Sequence, residues 1–323
     1  MIVVLAIYAI GCLLIDADVA VTVNSAYTVD SIIDNSPSHD RFIIMNVTVE
    51  NKGDGPVTVS ALDFNLLSDG EYMSYSNFYG NDTDVPESVR IPPGESRSFL
   101  LVFDVEDKPE ILEYNSLWDP LSDPETSRVG PVNIIPNPNS YANYETSGQI
   151  NNKSYHQTVN VTYRNATNGQ IEEIINMSGE TVWLTESVYQ EPIPSQSRVF
   201  DPETLEDDTG TYSSMIFLPK GYGEGDSIPV RGSEGETGAE TIVGSAPINV
   251  MDKIVNCWET ITIIEEGGVK IQVRRYYDKT TGLLLKKVWE EEGSAYGVSY
   301  TSPSTMQLTS TNIPLISDRS MLV

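Results

Sequence analysis

The amino-acid sequence predicts an all-β protein of two domains, and three observations predict it. Apolar residues alternate with polar ones at period two along most of the 323 residues, and helical spacing is nearly absent. Clusters of Gly, Pro, Asn and Asp interrupt β-branched runs at short intervals. A chain of this length, with 39% hydrophobic residues, can bury two cores of its own.

The elements follow in order. Ile2 to Ile15 is almost wholly apolar and uncharged. It is shorter than the roughly 20 residues a membrane-spanning helix needs, and it suits the hydrophobic part of an export signal, although no basic residue precedes it. Ala9-Ile10-Gly11-Cys12 sets small residues before a cysteine, as in a lipobox, while Leu13, Leu14 and Ile15 continue apolar after it. Three fates are open for Cys12: lipid attachment, membership of an ordinary export or membrane-anchor segment, or burial in a core strand. Residues 1–16 are expected to form that export or anchor segment.

Residues 17–115 are expected to form a β-sandwich. Asp18 to Val23 alternates, and Arg41 to Glu50 is the strongest strand pattern, ending in the Asn51-Lys52-Gly53-Asp54-Gly55-Pro56 turn. Strands are expected again at Pro56–Val59 and Leu62–Leu67, before the Ser68-Asp69-Gly70 turn. Pro93-Gly94 leads into Ser98 to Val105, an apolar run that reads as buried on both sides. About seven strands at this spacing pack as two sheets. Residues 116–156, with Pro120, Pro124, Pro131, Pro136 and Pro138, read as a linker or extended wrapping segment. Residues 157–323 read as a second antiparallel β domain, either a curved sheet or a sandwich. Its patterns are Thr158–Tyr163, Ile171–Ile175, Thr181–Leu184, a meander over Trp258–Glu290, and Tyr296–Leu308. Residues 191–211 and 219–247 are expected as long polar loops.

FIIMNVTVENKGDGPVTV, LDFNLLSDGEYM and IPPGESRSFLLVFDVEDKPE together resemble the telokin-like, immunoglobulin-like domain of secreted bacterial and archaeal lipoproteins. The resemblance covers about residues 18–115 and implies an exported sandwich, commonly preceded by a lipobox. It carries over no catalytic residue. The hairpin IQVRRYYDKTTGLLLKKVW is similar, more weakly, to hairpins in the curved sheets of lipoprotein-carrier-like proteins. No helix long enough to plug such a sheet is visible, which counts against a carrier.

The net charge is −28, from 19 basic and 47 acidic residues. Residues 1–150 carry 6 − 23 = −17 and residues 151–323 carry 13 − 24 = −11, so the acid is a general surface property. Such a field excludes nucleic acid as a partner, repels anionic lipid headgroups and suits a salty medium. With only Cys12 and Cys257, a disulfide framework is excluded, apart from one possible bridge. Six Asn-x-Ser/Thr sequons, at Asn46, Asn81, Asn152, Asn160, Asn165 and Asn176, are candidate glycosylation sites in an exported protein.

No catalytic constellation emerges, and the chain is expected not to be an enzyme. His39 and His156 fall in expected loops without metal-ligand spacing, and no Gly-x-Ser-x-Gly elbow is present. Gly221 to Gly225 is glycine-rich but acidic, and would repel phosphate. Cys257 lacks a cationic neighbour and reads as an inert buried thiol. No cofactor is implied. Calcium is the one ion the acidic turns suggest, at Asp82 and Asp84 in Asn81–Asp84, or in DPETLEDD from Asp201 to Asp208. Neither is an EF-hand loop, and solvated acidic loops are the plainer reading. Tyr72, Tyr75, Phe78 and Tyr79 form an aromatic cluster that could bind a protein or a glycan, or pack the loop on its own sandwich.

The functional expectation is a non-catalytic, membrane-anchored protein of the extracellular cell surface, working by binding or assembly. Its partners would be a protein or glycan at the surface and the membrane through the N-terminus. Two alternatives stand beside it. One is a self-assembling subunit of an extracellular filament or coat held by the apolar N-terminus. The other is a lipid or small-ligand carrier in the C-terminal domain.

Overall fold

The computed structural model describes residues 19–32, 35–74, 76, 88–106, 108–116, 123–150, 153–182, 188–189, 195–231, 237–266, 268–295 and 298–317. Cys12 and the rest of the apolar segment lie outside them. The protein is all-β, as expected, and the chain divides into two compact units that meet in sequence at Asn133 and Ile134.

The first unit carries β1 (Val19–Val29), β2 (Arg41–Asn51), β3 (Val57–Val59), β4 (Phe64–Ser68), β5 (Glu71–Ser74), β6 (Val89–Ile91), β7 (Ser96–Val105), β8 (Pro109–Tyr114), β9 (Glu125–Arg128) and β10 (Val132–Asn133). One sheet runs β10-β1-β2-β7 and another β5-β4-β8-β9, with β3-β6 as a separate pair. Along β2 the alternation places Ile43, Met45, Val47 and Val49 on the face they share with Leu101 and Phe103 of β7. They pack with Phe64 and Leu66 of β4 and Leu112 and Tyr114 of β8, so one core joins the two sheets as a sandwich. Phe64 meets Phe99 edge-on at 5.8 Å and Tyr114 at 5.2 Å. In β7 the consecutive residues Leu101, Val102 and Phe103 are all buried, which agrees with the two-sided burial read from the sequence.

Buried Asn51 ties two turns of this unit together. Its Oδ1 accepts from Gly53 N at 3.0 Å, its Nδ2 donates to Gly55 O and Ile91 O, and its carbonyl accepts from Gly94 N. The start of the expected Leu62–Leu67 strand is instead a 3-10 turn, Ala61–Asp63. Ser60 and Asp63 cap each other's backbone there, a local bond that outcompetes strand pairing.

The second unit carries β11 (Tyr141–Ile150), β12 (Lys153–Asn165), β13 (Ile171–Gly179), β14 (Thr181–Val182), β15 (Val188–Tyr189), β16 (Gln196–Phe200), β17 (Ser227–Arg231), β18 (Thr237–Val250), β19 (Lys253–Glu266), β20 (Val269–Asp278), β21 (Leu284–Ala295), β22 (Val298–Thr301) and β23 (Ser304–Thr311). An antiparallel sheet runs β16-β13-β12-β11-β23-β21-β20-β19-β18-β17, with β22 added to β21. β14 and β15 pair with each other. The last strand, β23, lies at the centre, between β11 and β21.

The sheet is strongly curved. Laid flat, the five steps from β13 to β20 would span about 24 Å. Yet Glu173 of β13 bears electrostatically on the Tyr277 phenol of β20. The Phe217 ring lies 6.0 Å from Tyr163 of β12, while its backbone bridges to Leu283 in the β20–β21 turn.

Three expectations need correction. The 116–156 stretch is not a linker: it contributes β9 and β10 to the first unit and β11 with the start of β12 to the second. Two of its prolines stand just before strands, Pro124 before β9 and Pro131 before β10, where a missing N–H is tolerated. Residues 191–211 and 219–247 are not loops throughout, since β16, β17 and most of β18 lie in them. β16 and β17 are the two edges of the sheet, where polar residues are compatible with strand pairing. His156 lies on β12, with its side chain exposed, rather than in a loop.

Candidate functional site

Runs of adjacent like charges lie inside strands of the second unit, among them Glu172-Glu173, Arg274-Arg275 and Lys286-Lys287. Successive strand residues point to opposite faces, so each pair must send one charge inward. Two outer members have surface partners: Arg164 Nε lies 2.7 Å from Glu172, and Arg274 2.6 Å from Glu259. The inner members, Glu173, Arg275 and Lys287, share the core face with Glu240 of β18 and a set of tyrosines.

Glu173 is fully buried and satisfied. It accepts from Tyr163 Oη at 2.8 Å, Ser214 Oγ at 3.0 Å and Met215 N at 2.9 Å. Burial nonetheless raises its pKa above the usual carboxylate range. Glu240 pairs with Arg275 at 3.0 Å and accepts from Thr260 Oγ1 and Tyr277. Tyr144, Tyr163, Tyr212 and Tyr277 all have phenol pKa values raised well above 10, chiefly by burial, with the neighbouring carboxylates or phenols adding to it. Tyr144 Oη donates to Leu284 O at 2.9 Å, and Tyr163 and Tyr277 donate to Glu173 and Glu240.

Lys287 stands apart. It sits directly across from Arg275 on one side and Met306 on the other. Its Nζ lies 5.0 Å from the Trp289 ring centroid and makes no hydrogen bond among the described residues. Burial and the Arg275 charge push its pKa down to about 8, against the pull of Glu240. Protein crowds it, yet the side chain keeps some solvent access.

The core face differs at its two ends. Towards Tyr277 the segment 201–218 folds over the strands and fills them with Leu205, Ile216, Phe217 and Leu218, all buried. Towards Val269, the core-face residues Ile271, Trp289 and Met306 are only half-buried, and Ile264 is 43% exposed. The charged layer lies between the filled and the open part.

The residues singled out in the sequence are scattered relative to this layer. Asn81, Asn152, Tyr75, Phe78, Tyr79, Asp82 and Asp84 lie outside the described residues, as does Cys12. Tyr72 is on β5, 60% exposed, and its hydroxyl donates to Glu113 at 3.0 Å. Of the sequons, Asn46 accepts from Asn24 Nδ2 at 3.3 Å, Asn160 and Asn176 oppose each other on β12 and β13, and Asn165 ends β12. In DPETLEDD the Asp201 carboxylate caps Glu203 N and Thr204 N, and Asp207 binds Thr209 and Thr211. Among the described residues, no three His, Cys, Asp or Glu side chains gather closely enough to hold a metal ion. His39 Nδ1 lies 3.3 Å from Asp104, whose carboxylate also accepts from Ser38 N and His39 N. Cys257 is fully buried, and burial, with Asp278 adding to it, raises its thiol pKa far from thiolate chemistry.

Asp278 gives a testable pH dependence. Its carboxylate caps the β20–β21 turn, accepting from Thr280 N, Thr281 N and Thr281 Oγ1, and burial raises its pKa from 3.8 to about 6. A group raised in the folded state stabilises fully below its unfolded pKa and loses that contribution as pH rises through the folded value. The wild type should thus lose about 2 kcal/mol through this group between pH 4 and 7. Denaturant titrations of wild type and Asp278→Asn should diverge across that window, because other titrations are common to both. Parallel curves would refute the assignment.

The family model described as "Domain of unknown function (DUF4352)" matches residues 8–121, about a third of the chain. It takes in the residues, about 18–115, that carry the telokin-like resemblance, and the description names no fold or activity. No curated protein matches. Among solved structures, a provisionally assigned lipoprotein, ycdA, from Bacillus subtilis subsp. subtilis str. 168 is similar at 24% identity and TM-score 0.29. The likeness covers 34% of this chain and 36% of that one, so the chain spans about a third of its length. A DUF1329 family protein from Desulfovibrio piger ATCC 29098 is similar at 12% identity and TM-score 0.17, over 57% of this chain and 87% of that one. At such scores neither likeness bears on fold or function.

Proposed function

We propose that this is an exported cell-surface protein, anchored at the membrane through Cys12 or its flanking apolar segment, that acts outside the cell by binding or assembly rather than by catalysis. The observation that carries this reading is the lipobox-like Ala9-Ile10-Gly11-Cys12 standing directly before a β-sandwich. The acidic charge and the sequons support it. The provisionally assigned lipoprotein ycdA agrees with it in name only. Against thiol catalysis, Cys257 is a sealed thiol.

Intact mass spectrometry of the natively purified protein tests the reading. The expected result is a polypeptide mass that begins at Cys12 and carries a lipid, with hexose-sized increments for occupied sequons. An unmodified Cys12 in a protein recovered from the soluble cell interior would overturn it.

A second reading, a carrier of a lipid or other small apolar ligand in the second unit, is favoured by one specific observation. The curved sheet leaves Ile264, Ile271, Trp289 and Met306 incompletely covered on its core face. The segment 201–218, through its buried Leu205, Ile216, Phe217 and Leu218, takes the filling role for which no helix is visible in the sequence, but at one end only.

A further inference from the structure

We propose that Lys287 is the anion-recognition residue of a site for a single-chain carboxylate amphiphile on the open end of the core face. The inference rests on the carrier reading and names the ligand class for it.

The first support is the pairing pattern within the charged layer. Arg275 has Glu240 at 3.0 Å. Arg198 donates to Ser213 O at 3.0 Å and lies beside Glu173. Each of these guanidinium groups is bonded within the protein. Lys287 has neither a hydrogen bond nor an ion pair among the described residues, and its nearest aromatic partner is Trp289 at 5.0 Å. A largely desolvated ammonium facing Arg275 is destabilised, and burial with that repulsion is what brings its pKa to about 8. A ligand anion would supply the missing counter-charge and acceptors.

The second support is position. Lys287 sits at the boundary between the filled and the open part of the core face, and it retains some solvent access. Outward from it along the same face come Trp289, paired across from Val273 and Ser304, and then Ile271, paired across from Ile264 and Glu291. Glu291, the carboxylate nearest this path on the same strand, is engaged by Tyr300 Oη at 2.7 Å and Trp289 Nε1 at 3.3 Å. Among the described residues, the order from the inside outward is therefore a cation without hydrogen bond or ion pair, then a mostly apolar surface. That complements an anionic head carried on one hydrocarbon chain, inserted head first. A peptide would instead bring backbone donors and acceptors that Ile264, Ile271 and Met306 cannot satisfy.

The test titrates the full chain with dodecanoate and with dodecanol, both below the concentration at which they aggregate. Trp289 fluorescence and calorimetry report binding. Wild type should bind dodecanoate at least about tenfold more tightly than dodecanol, a difference of about 1.4 kcal/mol. Lys287→Met should bind the two equally, and Lys287→Arg should keep the preference for the anion. Lys287→Gln serves as a second neutral variant if the Met form is recovered poorly. Equal binding of the two ligands by wild type, or an unchanged preference in the neutral variants, would overturn the role of Lys287 while leaving the carrier reading standing. Failure of both ligands to bind would overturn the carrier reading and this inference with it.

Discussion

Replacing Arg275 by Met is expected to destabilise the second unit by about 3–5 kcal/mol, because it strands the Glu240 carboxylate in the core. Glu240 keeps 3% of its side-chain surface and Arg275 18%. The remaining hydrogen-bond partners of Glu240, Thr260 Oγ1 and Tyr277, bring no charge, and Lys287 bears on it only electrostatically, without an ion pair. For a domain whose whole stability is about 5–15 kcal/mol, this is a large fraction. The control is the double substitution of Arg275→Met with Glu240→Leu. Removing both charges leaves no orphan, so the double variant should recover most of the loss, and could equal the wild type. Chemical denaturation followed by tryptophan fluorescence, with Trp258 and Trp289 as reporters in the unit, measures both. A single variant that loses less than about 1 kcal/mol would mean the pair is solvated rather than buried.

Phe217→Ala should cost a comparable amount, about 3–5 kcal/mol, through a different cause. Phe217 is 1% exposed, packs against Tyr163 and bridges by its backbone to Leu283. It thus pins the segment 201–218 over strands that are distant from each other in the sheet. Truncation leaves a cavity and loosens the segment together. The second effect separates this case from a simple core deletion. The Met215 amide, held by Glu173 at 2.9 Å, and the Phe217 amide, held by Ser214 Oγ at 3.1 Å, should lose hydrogen-exchange protection. Unchanged protection at those amides would show that the segment is held elsewhere.

Much of the strand framework was legible because alternation and turn chemistry act locally. The Arg41–Glu50 pattern became β2, and the Asp69-Gly70 turn joined β4 to β5, with both residues at positive φ (47° and 79°). The Trp258–Glu290 meander became β19, β20 and β21 with its turns in place. The polar edges β16 and β17 and the proline-marked β9 and β10 were missed, because edge pairing asks little of side-chain pattern. The charged layer was missed for another reason. Glu173, Arg275 and Lys287 each follow a like charge, and in composition they read as ordinary surface. The signal was there in the spacing. Two charges in succession within a strand cannot both face water if one face is buried, so a doublet in a confident strand marks an inward charge. Which inward charges would meet, Glu240 with Arg275 from β18 and β20, depends on the curvature and was not readable locally.

The central position of β23 fixes the order in which the second unit can form. Thr311 donates to the Tyr141 carbonyl across 170 residues, and β23 is the seam that joins the β16-β13-β12-β11 half of the sheet to the β21-β20-β19-β18-β17 half. During synthesis the two halves emerge as separate hairpin stacks, each with one edge awaiting a strand that is made last. The first unit, complete by Asn133, has no such delay. Until the ribosome has delivered residues 304–311, the halves present unpaired edges at β11 and β21, the state most open to mispairing with other chains.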